Sequence, residues 1–432
     1  MRPREDANAP LICFETLGCA KNEVDTRDMT ERLRDAGARI TDDIDRCDVA
    51  IINTCSFIQS ATEESIEAVL DALEGREGGR RVIVCGCMPA RYGDDLAGSL
   101  PEADGFVPCS REDDIVQVVS SVTGWMPHPD GTHVEVPGAS FAYLKISDGC
   151  DRWCSFCTIP QIRGRYHSFA SADILAEARR LAESGTREIV LIGQDTGIWG
   201  TDIDEGHDLA WLVRHLTEEL PSVRFRIMYT EPEGVTDGLL DAIADAPNAC
   251  AYLDIPLQHV SPHILKAMRR TGSADRFRSL VEHVRKRIPD ITLRTTLMCG
   301  FPGETEEDFE ELVAFVQEGL FQYVGVFAYS PEEGTRAASL PDQVPEDVRE
   351  ARARELRDEA DSVSAALISA RVGQSACVVV DGVEEDGQAY GRAECQAPEV
   401  DGVTYVDAGS PGDVLSVKIE DTLLYDMEGT VS

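Results

Sequence analysis

Three cysteines at short spacing are the residues of this sequence best able to carry chemistry. Cys150, Cys154 and Cys157 form a CxxxCxxC run within DGCDRWCSFCTIP. Three thiolates at this spacing can bind three irons of a 4Fe-4S cluster, because such clusters require soft thiolate ligands. The fourth iron is then open to a substrate or a cofactor. A structural zinc is the alternative, but a structural zinc site has four ligands and no fourth cysteine lies near this run.

Three further cysteines are dispersed in the sequence but share a position relative to predicted strands. Cys19 follows LICFETLG, Cys55 follows DVAIINT, and Cys87 follows RVIVCG. These runs predict parallel strands, whose carboxyl ends meet at one edge of a sheet, where open α/β sheets bind ligands. The sequence therefore predicts a second three-cysteine site. Taken singly, each of these cysteines suits a core position better, because free cysteine is among the most buried residue types.

The other cysteines are assigned no metal. Cys85 lies inside the strand that ends just before Cys87, so its side chain is predicted to point away from the second site. The rest are predicted to be structural: Cys13, Cys47, Cys109, Cys250, Cys299, Cys377 and Cys395.

The elements that must position these cysteines fall into three predicted domains. Over 11–125, short β-rich runs alternate with helical periodicity, which is typical of an open parallel sheet with helices on its faces. A linker, GWMPHPDGTHVEVPGAS, leads into 136–366, where six β-like runs alternate with amphipathic stretches. Six βα units fall short of a closed eight-unit barrel, so a partial barrel is predicted, with its site at the carboxyl ends of the strands. Over 368–432, short strands and turn signals such as Asp381-Gly382 and Asp386-Gly387 predict a small antiparallel β-barrel.

Length and composition indicate a soluble protein with several cores and a strongly acidic net charge. A chain of 432 residues that is 43% hydrophobic can bury several cores, and its formal charge of -39 repels phosphate backbones and attracts basic partners. The chain has five lysines and thirty-five arginines, and an acidic surface with few lysines is also typical of a protein solvated in a salt-rich cytoplasm. With no apolar run near the roughly 18 residues of a membrane span and no signal-peptide pattern, we predict a soluble cytoplasmic protein. Fourteen cysteines in a reducing compartment are then thiols or metal ligands.

The cysteine motifs resemble those of a known enzyme family. The CxxxCxxC motif after a first barrel strand resembles that of the radical S-adenosylmethionine enzymes. Together with GCAKNEVD, NTCSF and CGCMPAR, it resembles the motifs of the methylthiotransferase family, and the resemblance covers essentially the whole chain. The resemblance implies an α/β fold class: an N-terminal open parallel α/β domain, a partial six-unit radical SAM barrel and a C-terminal TRAM β-barrel. It assigns a radical 4Fe-4S cluster to the CxxxCxxC cysteines and an auxiliary 4Fe-4S cluster to Cys19, Cys55 and Cys87.

Two branches of this family act on different targets, a tRNA adenosine and an aspartate of ribosomal protein S-twelve in the small subunit. YLKIS, the IP-x-IRG stretch, YLDIPLQH and FAYSPEEGT resemble the ribosomal-protein branch, although Trp153 in DRWC departs from it. The acidic C-terminal barrel favours the same branch, because thirteen acids against three basic residues from Arg371 onward suit a basic protein target. We predict methylthiolation of that aspartate; the alternatives are the tRNA modification and a non-enzymatic, zinc-bound adaptor for basic proteins.

The resemblance also implies the cofactors and their contacts. Cleavage of S-adenosylmethionine at the radical cluster would yield a radical that removes a hydrogen atom from the target aspartate, so an electron donor and a sulfur donor are predicted partners. Polar residues that follow the barrel strands are the candidate S-adenosylmethionine contacts: Gln194, Asp195, Glu231, Gln258, His259, Gly300 and Glu304. Taken alone, His259 is predicted to be a structural hydrogen-bonding group. Arg163 and Arg165 are predicted to pair with a carboxylate, either of a ligand or in a surface salt bridge.

Overall fold

The computed structural model describes residues 9–76, 79–128 and 139–432. Most of the predicted linker, and the predicted domain boundary at 136, lie outside these residues. The chain divides into two compact units. The first contains the described part of 1–136 with Gly149–Asp151 and Cys157–Tyr166; the second contains Arg152–Phe156, His167–Ser432 and the described part of 137–148. The three-domain division stays a prediction.

The first unit is built on a five-stranded sheet in the order β2-β1-β3-β4-β5, with every neighbouring pair parallel. Its strands are β1 Leu11–Thr16, β2 Arg39–Ile40, β3 Val49–Thr54, β4 Arg81–Gly86 and β5 Gly105–Pro108. Its first helices are α1 Ala20–Asp35, α2 Gln59–Glu74, α3 Cys87–Tyr92, α4 Asp94–Ser99 and α5 Ile115–Thr123. The short helix α6 Ile159–Ile162 belongs to the same unit.

Helices cover both faces of this sheet. Every residue of β3 is buried, as expected for a central parallel strand. Ile51 and Ile83 pack in the core on one face, whereas Ile52 and Val84 pack in the core on the other. Side chains of a strand alternate between the two faces of the sheet, and helices cover both faces. A ligand site can therefore lie only at the ends of the strands. The predicted open parallel α/β domain is confirmed.

The second unit contains the six predicted barrel strands as two parallel three-stranded sheets, β10-β9-β6 and β11-β12-β13. The strands are β6 Phe141–Lys145, β9 Glu188–Ile192, β10 Arg224–Ile227, β11 Tyr252–Asp254, β12 Thr292–Cys299 and β13 Tyr323–Ala328. Ser147–Asp148 (β7) and His167–Ser168 (β8) form a separate antiparallel pair. The helices are α7 Ser171–Glu183, α8 Leu209–Glu219, α9 Asp237–Asp245, α10 Pro262–Ala267, α11 Ala274–Arg287, α12 Glu306–Gln317 and α13 Glu346–Ser369.

Local sequence explains where several of these helices begin. The hydroxyl group of Thr305 accepts from Asp308 N, and the Asp308 carboxylate accepts from Thr305 N, which forms a capping box for α12. The Ser273 hydroxyl caps α11 by accepting one hydrogen bond from Arg276 N. Their apolar faces join one core with the strands of both sheets.

The C-terminal region forms a closed barrel in the order β14-β15-β16-β18-β17. Its strands are β14 Ser375–Val383, β15 Ala389–Ala393, β16 Thr404–Val406, β17 Val414–Leu423 and β18 Asp426–Val431. The barrel is antiparallel as predicted, apart from the parallel pair β16–β18. The predicted turn at Asp381-Gly382 is wrong: both residues lie in β14, beside a register shift. Gly382 is needed there because a Cβ would stand 2.5 Å from the Tyr390 hydroxyl oxygen.

Buried charges join this barrel to the six-stranded region within the second unit. Glu188, the first residue of β9, is fully buried and contacts Arg226 at 2.8 Å and Arg392 of β15 at 3.1 Å. Burial raises the pKa of Glu188, but Arg226, Arg392 and Arg224 together lower it to about 2. The carboxylate is therefore charged at neutral pH, and three arginines compensate it.

Candidate metal centres

The carboxyl edge of the first sheet brings the three dispersed cysteines together. Cys19 lies between β1 and α1, Cys55 directly follows β3, and Cys87 follows β4 as the first residue of α3. Strands β1, β3 and β4 are adjacent and parallel, so their ends meet as the sequence predicts. Gly18, at φ +99°, passes so close to Cys55 that a Cβ there would stand 2.9 Å from its sulfur.

The neighbouring thiols affect the pKa of Cys55. Burial raises the pKa of Cys55 to about 12, and the neighbouring thiols of Cys87 and Cys19 add to that rise. Cys19 is exposed, whereas Cys55 and Cys87 are buried. Thiolate is the ligand that an iron-sulfur cluster needs, and metal binding releases the protons of such thiols. The three thiols at this edge are donors of the kind that an auxiliary cluster needs. The assignment of Cys19, Cys55 and Cys87 as its ligands stays a prediction.

The Cys87 sulfur lies close to two polar side chains, those of Asn22 and Arg163. Its sulfur donates to Asn22 Oδ1 at 3.6 Å, and Arg163 Nη2 lies 4.0 Å from it. Arg163 Nη2 also donates to Asp25 Oδ2 at 2.8 Å, and both side chains are almost fully buried. Arg163 is therefore part of an internal ion pair. Arg165 instead pairs with Asp151 at the surface.

Cys109, predicted from the sequence to be structural, also lies at this edge. It follows β5, and its backbone N donates to Gly86 O at 3.0 Å, beside Cys87. Cys109 packs against Cys87 and Ile162, and its sulfur donates to Ile162 O at 3.5 Å. The neighbouring thiol of Cys109 lowers the pKa of Cys87, and the neighbouring thiol of Cys87 raises the pKa of Cys109. The signal was its place after the run GFVP, which matches the places of the other three cysteines.

Cys85 behaves as the strand pattern predicts. It lies within β4, is fully buried, and belongs to the apolar core with Ile83 and Val107. Burial raises its pKa well above the usual value. Two positions separate it from Cys87 along the chain, yet its surroundings are apolar.

The CxxxCxxC cysteines lie in the loop between β7 and α6. Cys150 and Cys157 belong to the first compact unit and Cys154 to the second. Cys150 N donates to Gly164 O at 3.2 Å, and Gly149 is required beside it because a Cβ would stand 2.1 Å from Arg165 O. Within the described ranges, no three His, Cys, Asp or Glu side chains form a site for a single metal ion.

Cys154 is surrounded by buried charges of the second unit. Arg270 Nη1 lies 3.8 Å from its sulfur and donates to Glu231 Oε1 at 2.8 Å. Burial raises the pKa of Cys154, whereas Arg270 lowers it. The backbone of this stretch is fixed by Ser155 N, which donates to Met268 O at 3.0 Å. Trp153, which directly precedes Cys154, has φ +50° and is 49% exposed.

Gln194 and Asp195 follow β9 and offer unused acceptors. Gln194 Nε2 donates to Asp148 Oδ1 at 2.9 Å, and Arg152 Nε donates to Asp195 Oδ2 at 2.6 Å. Gln194 Oε1 and Asp195 Oδ1 are buried and have no hydrogen-bond partner among the described residues. Burial raises the pKa of Asp195 and Arg152 lowers it. Two unpartnered acceptors at a strand end fit the amino or hydroxyl donors of a cofactor such as S-adenosylmethionine.

The other predicted cofactor contacts have protein partners. Glu231 is bound by Arg270 through both oxygens. Glu304 accepts from Gly300 N at 2.8 Å and from Arg352 Nη1 at 2.7 Å. These contacts position the loop after β12.

The local structure explains the identity of Gly300, the conformation of Gln258 and the hydrogen bond of His259. Gly300 has φ +73°, and a Cβ there would stand 2.3 Å from Arg349 Cγ. Gln258 has φ +70° and pairs with β12 through backbone hydrogen bonds. Buried His259 accepts from Ser261 N at 3.0 Å, which agrees with its predicted structural role. All the cofactor contacts stay predictions.

Comparison with known proteins identifies the family. Residues 11–108 match the uncharacterized protein family UPF0004, 144–316 match the radical SAM superfamily, and 372–431 match the TRAM domain. A ribosomal protein uS12 methylthiotransferase RimO from Geobacter sulfurreducens is 40% identical and aligns over 97% of this chain and 98% of its own length. The chain belongs to the RimO family. A relative with the same name from Aquifex aeolicus is 40% identical over 96% of this chain and 95% of its own.

Solved structures agree on the fold of the RimO-family chain. The radical S-adenosylmethionine methyltransferase TsrM from Kitasatospora setae matches with a TM-score of 0.58 at 15% identity, over 76% of this chain and 77% of that one. The cobalamin-dependent enzyme OxsB matches with a TM-score of 0.51 at 12% identity, over 82% of this chain and 56% of that one. At such identities the match shows the fold alone. The family resemblance and fold class inferred from the sequence are confirmed, and the chain is a radical SAM methylthiotransferase. No helix among the described residues is long and apolar enough to cross a bilayer.

Proposed function

We propose that this chain methylthiolates an aspartate of ribosomal protein uS12, with S-adenosylmethionine and two 4Fe-4S clusters. The observation that carries the proposal is near-complete alignment, at about 40% identity, with proteins named for this activity. The radical cluster would be bound by Cys150, Cys154 and Cys157, and the auxiliary cluster by Cys19, Cys55 and Cys87. An electron donor and a sulfur donor are required partners.

When bound, the clusters and S-adenosylmethionine supply the radical and the methylthio group, which no side chain of the protein can generate. The protein binds, orients and excludes water. Arg270 and Glu231 form a buried ion pair next to Cys154, and this pair would orient the Cys154 sulfur as a cluster ligand. Gln194 Oε1 and Asp195 Oδ1 are the acceptors available to orient S-adenosylmethionine.

The charge of the C-terminal barrel supports a protein target. From Arg371 to the end of the chain, three basic residues stand against thirteen acidic ones, so the net charge of this part is 3 - 13 = -10. An anionic surface attracts a basic ribosomal protein and repels the phosphates of tRNA. This attraction should weaken with salt, because the Debye length falls from about 10 Å at 0.1 M to about 3 Å at 1 M.

A competition assay tests the proposal. The anaerobically reconstituted full chain is offered equal amounts of uS12 and unmodified tRNA with S-adenosylmethionine and a reductant. Mass spectrometry should find the methylthio group on an aspartate of uS12 and none on tRNA. The Cys154→Ala variant is the control and should modify neither. Modification of tRNA without modification of uS12 would overturn the proposal.

A further inference from the structure

A buried charged network lies at the sheet edge of the first unit. Asp25 of α1 and Arg163, just after α6, form an ion pair at 2.8 Å, with side chains 0% and 2% exposed. Asn22, one turn before Asp25 and also fully buried, accepts from the same Arg163 nitrogen at 2.9 Å. Burying two charges carries a large desolvation cost, so an apolar pair would stabilise this position as well or better. Stability alone does not explain the network.

The network converges on one sulfur. Cys87 Sγ lies 3.6 Å from Asn22 Oδ1 and 4.0 Å from Arg163 Nη2, the nitrogen that also bonds Asn22 and Asp25. Among the described residues, no hydrogen bond joins a guanidinium group to the sulfur of Cys19 or Cys55. Cys87 must lose its proton to bind iron, and the resulting negative charge would face the guanidinium group.

We propose that Arg163 is a positioning residue of the auxiliary cluster: its guanidinium group compensates the charge on the Cys87 sulfur and raises the reduction potential of that cluster. Asp25 and Asn22 fix the guanidinium group in place. Groups around the cysteine sulfurs, and the net charge near the cluster, set the potential of an iron-sulfur cluster. The inference rests on the proposed auxiliary cluster at Cys19, Cys55 and Cys87.

Charge compensation predicts opposite effects for the two members of the ion pair. Reduction adds a negative charge to the cluster, so loss of the Arg163 charge should hinder reduction and loss of the Asp25 charge should favour it. We expect Arg163→Gln to make reduction about tenfold less favourable, a shift of about 59 mV to more negative potential for one electron. Asp25→Asn should shift the potential in the positive direction. Arg163→Lys retains the charge and should stay near the parent value.

The measurement uses the full-length Cys154→Ala chain, in which the auxiliary cluster is the one expected to remain. After anaerobic reconstitution, its potential is obtained by a redox titration followed by electron paramagnetic resonance. The matched control is Arg165→Gln, because Arg165 belongs to the neighbouring exposed pair with Asp151 and should leave the potential unchanged. A purely structural role of the pair would shift Arg163→Gln and Asp25→Asn in the same direction, and that result would overturn the inference.

Iron content decides the case in which a variant loads poorly. If Arg163→Gln binds no cluster while Arg163→Lys binds a full one, the charge is required and the inference holds. If neither binds a cluster, the geometry of arginine is required instead of its charge, and the inference fails. Cys87→Ala in the same background tests the underlying assignment. A full cluster in that variant would refute the proposed auxiliary site itself, whatever Arg163 does.

Discussion

The two sets of cysteines differ in how the chain brings them together. Cys150, Cys154 and Cys157 share one loop, and their spacing alone is typical of a cluster site. Cys19, Cys55 and Cys87 come from three strand ends and meet only because β1, β3 and β4 are adjacent and parallel. A local motif can therefore be recognised from its spacing, whereas a dispersed site becomes visible only after the strands are identified.

The charges around the two sets differ as well. Cys87 faces an arginine that is held by Asp25 within the first unit. Cys154 faces Arg270, which is held by Glu231 within the second unit. In each unit a carboxylate fixes a guanidinium group near a thiol. The difference is in the remaining partners: the Cys87 sulfur also donates to Asn22 Oδ1, and Cys109 packs against Cys87.

The largest expected effect separates the two clusters. Two 4Fe-4S clusters predict about eight irons per chain, and Cys154→Ala should lose about half of them and all cleavage of S-adenosylmethionine. Cys87→Ala should also lose about half of the iron but retain part of that cleavage. Iron and sulfide analysis with chromatography of the cleavage product measures both. Cys85→Ala is the control, and it should keep its iron; if Cys85→Ala lost iron and Cys87→Ala did not, the assignment would be reversed.

The next effect tests whether Arg270 compensates the buried charge of Glu231 beside Cys154. Arg270→Met leaves the Glu231 carboxylate buried without its partner, a change that costs about 3–5 kcal/mol in typical proteins. Urea unfolding of the cluster-free chain should show the loss as a lower midpoint. The exposed pair of Arg165 and Asp151 gives the control, because Arg165→Met should leave the midpoint unchanged. Equal midpoints for both variants would show that Arg270 does not compensate the buried charge of Glu231.

Glu188 provides a pH-dependent test within the second unit. Its pKa falls from 4.5 to about 2 in the folded chain, so its contribution to stability is full well above pH 4.5 and is lost as pH falls toward 2. The shift corresponds to about 3 kcal/mol, and Glu188→Gln should lower the free energy of unfolding by that order at pH 7. At pH 3 the difference between the variant and the parent should be about half as large. A difference that stays constant between pH 7 and pH 3 would show that charge is not its cause.

Particular residues show what the sequence could and could not predict. Runs such as VAIINT and EIVLI predict strands because buried parallel strands are continuously apolar, and their order then places Cys19, Cys55 and Cys87. Arg163 was ambiguous because its partner Asp25 is 138 positions away, and only the fold brings them together. Cys109 was predicted to be structural, and only the fold shows that it packs against Cys87.

Turn chemistry explains the wrong turn prediction at Asp381-Gly382 in the C-terminal barrel. An Asp-Gly pair is the strongest short signal for a hairpin turn, and it is correct at Asp386-Gly387, which joins β14 to β15. At Asp381-Gly382 the same pair lies in a strand, where glycine avoids the Tyr390 ring and Asp381 binds Arg392 at 2.7 Å. A bulge and a turn both require glycine, so the dipeptide alone does not distinguish them.

The smallest expected effect concerns Cys109, one of the residues that distinguish the surroundings of Cys87 from those of Cys154. Its sulfur packs against Cys87 and donates to Ile162 O, so Cys109→Ala removes one buried hydrogen bond that typically contributes about 1 kcal/mol. Cys109→Ser keeps a donor at the same place and should behave more like the parent. In the Cys154→Ala background, we expect iron to pass from the auxiliary cluster to a chelator a few times faster in Cys109→Ala. Cys85→Ala is again the matched control, since Cys85 is a buried thiol of the same unit that packs in the apolar core: its loss should weaken the fold without changing the rate of iron release. If Cys85→Ala and Cys109→Ala released iron at the same rate, Cys109 would be one more core residue, and the environment of Cys87 would be distinguished by Arg163 and Asn22 alone.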